Sequence, residues 1–134
     1  MINHHSALIY TMVLVSASDG NMTDAELQTI GEIIKNLPIF EDFDQSTIAK
    51  AAEDCAELLA DPDGLDEAAQ LINQALPVRL RETAYALACD VAAADGTVSQ
   101  SESELLRWLR ARLNIGRLEA AAIERGARAH YMTL

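Results

Sequence analysis

An all-α domain is the fold class the sequence predicts, and three observations carry that prediction. Alanine supplies 23 of the 134 residues and aromatics only six, and alanine enters a helix without losing side-chain entropy. Glycine and proline together number nine, too few for a loop-rich, collagen-like or disordered chain. Seven segments carry apolar residues at helical spacing, while none alternates as a strand over a useful length. A chain of this length is expected to form a single domain over residues 1–134. Such a domain buries roughly two thirds of its unfolded surface and folds without metals or disulfides.

The first predicted helix runs from about Asn3 to Ala17, with Leu8, Ile9, Met12 and Val13 on one face and further apolar residues around it. A helix apolar on all sides is expected to be buried. The second runs from Thr23 to Leu37, where Pro38 stops it by restraining the residue before it. The third, Gln45 to Ala60, has the cleanest stripe: Ile48, Ala51, Ala52, Cys55, Leu58 and Leu59. Asp61-Pro62-Asp63-Gly64 reads as a turn. The fourth helix follows, Leu65 to Leu76, with Asp66 as a candidate cap. The fifth opens at Pro77, tolerated in a first turn, and runs to Ala94 with Ala84, Leu87, Ala88 and Val91 inward. The sixth spans Ser99 to Leu113, with Leu105, Leu106, Leu109 and Leu113 inward. The seventh, Gly116 to Ala129, has the weakest stripe, around Leu118, Ala121 and Ala122. The first and fifth helices, the most apolar, are expected at the centre of the bundle.

Charge is unevenly placed. The net charge is −11, and residues 1–67 hold 14 acids against Lys35 and Lys50. Residues 68–134 hold seven acids and eight arginines. This balance opposes nucleic-acid binding, whose affinity comes from phosphate neutralisation. Arg107, Arg110, Arg112, Arg117, Arg125 and Arg128 are expected to form a solvated face, to pair with the acidic half, or to dock an acidic partner or membrane. Cys55 and Cys89 lie in helix-like apolar patterns and are expected to be reduced core residues. No basic leader or membrane-length apolar run is present, since the run Ala7 to Val15 falls well short of a span. A cytoplasmic protein is expected.

The chain carries a weak duplication at an offset of 76 positions. Val15-Ser16-Ala17-Ser18-Asp19-Gly20 aligns with Val91-Ala92-Ala93-Ala94-Asp95-Gly96. Downstream, Glu26 aligns with Glu102, Ile30 with Leu106, Ile33 with Leu109 and Leu37 with Leu113. Each unit reads as a buried helix, an Asp-Gly turn and an amphipathic helix. The expected architecture is therefore a seven-helix bundle with an internal pseudo-two-fold duplication.

The repeated motif, Asp-Gly-x-apolar-[Thr/Ser]-x-x-Glu, supports two readings. In the first, Gly20 and Gly96 supply positive φ at a helix end. Thr23 and Ser99 are N-caps, and Glu26 and Glu102 are their capping-box partners. In the second, the motif matches the later half of an EF-hand loop, with Asp, Gly, an apolar residue and a terminal Glu. The earlier half fails, because Val15 and Ala17, or Val91 and Ala93, offer no side-chain oxygen. A weak divalent-cation site on Asp19 and Glu26, and on Asp95 and Glu102, completed by water and carbonyl oxygens, is compatible with capping.

These segments, from Ala7 to Glu26 and from Ala92 to Glu102, resemble the tellurite-resistance TerB family. The resemblance covers essentially the whole chain. It implies an all-α, internally duplicated bacterial fold and a role in stress resistance linked to tellurite, phage and pore-forming colicins. It implies action with other stress-response proteins, some of them metal-binding, in membrane-associated complexes. The family's acidic positions correspond to Asp19, Glu26, Asp95 and Glu102. Lysine is nearly absent here, so a basic docking surface would be built differently.

A catalytic function is not expected. No phosphate-binding glycine loop, CxxC pair or HExxH motif is present. His4, His5 and His130 lie near the ends, where such residues are usually inert. The two remaining expectations are a cation-responsive stress module using the Asp-Gly…Glu turns and a protein-interaction adaptor using the charge asymmetry.

Overall fold

The structure, a computed structural model, describes residues 2–18, 23–94, 96 and 98–134. Seven α-helices and no strand occur among the described residues, as the periodicity predicts. They are α1 (His4–Ser16), α2 (Asp24–Ile34), α3 (Ile48–Leu59), α4 (Gly64–Ala75), α5 (Arg81–Ala93), α6 (Gln100–Arg112) and α7 (Arg117–His130).

Helix α1 is the axis of the bundle. Every residue from Ala7 to Ser16 is buried, so the helix has no solvent face and needs neighbours all round. It packs along α5 and against α3 and α4, with α2 and α6 making smaller contacts. The polar group it buries at Thr11 is satisfied within the helix, Oγ1 donating to the Ala7 carbonyl at 2.8 Å. Helix α5 approaches closely through the small side chains Ala84, Ala88 and Ala92, all buried. Its other side meets α7. The expected central placement of the first and fifth helices is what the structure shows. The correspondence at an offset of 76 positions remains a relation between sequences.

The ends of the helices follow local rules. Asn3 caps α1, its Oδ1 accepting from the Ser6 N–H at 2.8 Å. Helix α2 stops at Ile34, three residues before the predicted end, and Leu37 takes an extended backbone ahead of Pro38. The predicted starts of the third and fifth helices are 3-10 turns, Gln45–Thr47 and Val78–Leu80, that lead into α3 and α5. Helix α6 closes on a Schellman motif. The Ile115 N–H donates to the Arg110 carbonyl and the Asn114 N–H to that of Ala111, with Asn114 at φ 57°.

Two expectations need correction. Asp66 does not cap α4, whose N-cap residue is Asp63 without a side-chain cap bond. The Asp66 carboxylate instead accepts from Arg112 Nη2 at 2.6 Å, and the Arg112 guanidinium lies over the Trp108 ring. The inward face of α7 is Ala120 and Ala127 with Ile123 half-buried, whereas Leu118 is 79 % exposed and Ala121 and Ala122 face solvent. A stripe of alanines fixes the rotation of a helix weakly, and here α5 selects the face on which Tyr85 meets Glu124.

Candidate functional site

The two repeated turns carry different caps. At α2, Thr23 Oγ1 accepts from the Glu26 N–H at 3.1 Å and donates to Glu26 Oε1 at 3.2 Å. This is half of the predicted box, since no bond from the Glu26 carboxylate to the Thr23 N–H forms. At α6 the box is complete. Ser99 Oγ accepts from the Glu102 N–H at 3.1 Å, and Glu102 Oε1 accepts from the Ser99 N–H at 2.9 Å. Gly96 lies at φ +88°, the positive value expected of it. Asp19, Gly20 and Asp95 lie outside the described residues.

The tertiary structure joins what the sequence holds apart. Glu26 and Glu102 line one cavity of about 330 Å³, set where α1 and α5 end and α2 and α6 begin. Val15 and Val91 also line it, as do the hydroxyl residues Ser16, Ser18 and Thr29. Ser16 is only 5 % exposed, and its Oγ has no hydrogen-bond partner among the described residues. A buried hydroxyl without a partner costs about 1–3 kcal/mol unless water or a ligand satisfies it. Two carboxylate residues and this hydroxyl thus line the same cavity. No group of three or more His, Cys, Asp or Glu residues placed to hold a metal occurs among the described residues.

Motif reading did not find Ser16. Its repeat equivalent is Ala92, so the duplication gives no signal for it. Nor does a sequence repeat say that its two copies meet in space.

The remaining singled-out residues fall elsewhere. His5 is anchored rather than loose, its Nε2 bonded to the Ile39 carbonyl at 2.7 Å and its ring packed on Phe40 and Phe43. Cys55 and Cys89 are buried free thiols, as expected, and burial pushes both up to about 12. Of the C-terminal arginines, Arg112 pairs with Asp66, and Arg110 reaches Glu124 Oε2 at 3.5 Å. That same oxygen accepts from the Tyr85 hydroxyl at 2.5 Å. Arg107, Arg117, Arg125 and Arg128 form no ion pair among the described residues. No helix among them is long and apolar enough to cross a membrane.

A family model described as tellurite resistance protein TerB matches residues 5–125. No curated protein matches the chain, and no solved structure does.

Proposed function

The chain belongs to the TerB family of tellurite resistance proteins, and from that premise we propose that it is a non-enzymatic stress-response module whose two acidic turns jointly hold a divalent cation. The observation that carries this reading is the shared cavity lined by Glu26 and Glu102. The partnerless Ser16 hydroxyl supports it, because a hard cation would satisfy that oxygen. Glu102 Oε1 is engaged by the Ser99 N–H, which leaves Oε2 for the ion. Asp19 and Asp95 are assigned by motif alone, as the further carboxylates of the same site. Water completes the coordination, so binding is weak and the ion exchanges readily.

In this reading the ion's role is electrostatic. Helix N-termini favour the carboxylates of Glu26 and Glu102 individually, but two carboxylates facing one cavity repel each other. A bound divalent ion removes that repulsion and ties the start of α2 to the start of α6. The module thereby couples cation level to the surface it presents to partner proteins of the stress response.

The competing reading is an adaptor whose turns are purely structural. Arg112–Asp66 is the one ion pair between the acidic and arginine-rich halves among the described residues, which leaves both charged faces open to partners. Thermal shift separates the two readings. Calcium, magnesium, manganese and zinc are titrated against wild type, the Asp19→Asn/Asp95→Asn variant and the Glu26→Gln/Glu102→Gln variant. The cation reading expects a melting temperature that rises with ion concentration in wild type alone, because only the folded state assembles the site. An absent shift at millimolar ion, or an equal shift in both variants, leaves the adaptor.

A further inference from the structure

A second, larger cavity of about 660 Å³ opens between α5, α6, α7 and residues 131–133. Its volume lies in the range of small-molecule sites, about 300–1,000 Å³. Two kinds of surface line it. Ala92, Ala93, Leu106, Ala127 and Met132 supply an apolar wall. Arg107, Arg110 and Arg128 line it too, and among the described lining residues Glu124 is the one carboxylate.

Among the described lining residues that charge balance is the reverse of the chain's, which carries a net −11. Glu124 is already held by Tyr85 and Arg110, and Arg107 and Arg128 have no carboxylate partner among the described residues. A guanidinium presents a planar fork of donors that matches an oxyanion. Next to an apolar wall, such a fork selects ligands with a charged head and a hydrocarbon body. An inorganic anion leaves the apolar wall uncovered, and a neutral hydrocarbon leaves the arginines unanswered.

We propose that this cavity binds a small amphipathic carboxylate, an anion of the fatty-acid type. Its head pairs with Arg107 and Arg128, and its chain lies against Leu106 and Ala93. The residues involved are separate from Glu26 and Glu102, so the proposal stands or falls apart from the cation site.

The probe is decanoate, added to the full chain and followed by titration calorimetry and by amide NMR shifts. Decanol and acetate, which lack the charge and the chain respectively, are the controls. Saturable one-to-one binding of decanoate is expected, with shifts centred on α5, α6 and α7 around the cavity. Decanol and acetate are expected to bind at least about tenfold more weakly, as is decanoate to Arg107→Gln/Arg128→Gln, since charge-assisted hydrogen bonds are lost. Both arginines are exposed, so that variant should keep its fold, which its melting temperature checks. Arg79→Gln/Arg125→Gln removes the same charge outside the cavity and is expected to bind as wild type. Ala93→Leu, which fills the apolar wall, is expected to weaken decanoate. Three results would each overturn the proposal: no saturable binding at millimolar decanoate, equal binding of decanol, or equal loss in the two arginine pairs.

Discussion

Glu26 and Glu102, 76 positions apart in the chain, face the same cavity from the first turns of α2 and α6. Each also serves the cap of its own helix, but unequally. Only Glu102 returns a hydrogen bond to the N–H of its cap residue. The two roles therefore separate by substitution.

In chelator, Glu102→Ala is expected to cost about 0.5–1 kcal/mol through loss of the capping box. Glu102→Gln retains the acceptor and is expected to be near neutral. Glu26→Ala is expected to cost less than Glu102→Ala, since its box is half formed. Urea denaturation of the three variants measures these differences, and equal costs for the two alanine variants would contradict the unequal caps.

Gly64→Ala is expected to be strongly destabilising, by about 2 kcal/mol or more, a cost typical of forced overpacking. A Cβ there would meet the Leu58 carbonyl oxygen well inside contact distance and Leu59 Cα at 2.9 Å. Those atoms are the backbone at the end of α3, which cannot yield as a flexible side chain does. Chemical denaturation of the variant reads the cost. A stability equal to wild type would show that α4 does not approach α3 this closely.

Cys55 and Cys89 are expected to resist thiol reagents at neutral pH. The thiolate is the reactive form, and burial holds both thiols protonated by pushing them up to about 12. Labelling should follow global unfolding, with rates that rise steeply as denaturant is added. Rapid labelling of either residue in native buffer would place it outside the core.

Asp90 on α5 predicts a pH dependence. Burial favours its neutral form and holds its carboxyl above the usual range, while His130 pulls it back down. The folded state therefore keeps this proton to higher pH than the unfolded chain. The associated stability is fully present below the ordinary carboxylate range and is lost as pH rises through the raised value. Asp90→Asn is expected to raise the melting temperature at neutral pH, with the gain vanishing in acid where both side chains are neutral. A gain that persists in acid would assign the effect to packing instead.

The sequence by itself determined the seven helices, because each depends on local periodicity, caps and breakers. Leu37 before Pro38 and Ser99 with Glu102 are signals that a few neighbouring residues complete. It also marked Ala84, Leu87, Ala88 and Val91 as an inward face and Cys55 and Cys89 as core residues. Tertiary structure decided what depends on distant neighbours. Helix α7 could turn its alanines several ways, and packing on α5 chose Ala120 and Ala127 over Leu118. Asp66 could have capped its own helix, but Arg112, 46 positions on, offered a charged partner. The placement of Glu26 and Glu102 on one cavity, and of Arg107 and Arg128 on another, has no local signature. Each pair shares a cavity because α2, α6 and α7 all pack on α5, and burial of apolar area drives that packing without regard to sequence distance.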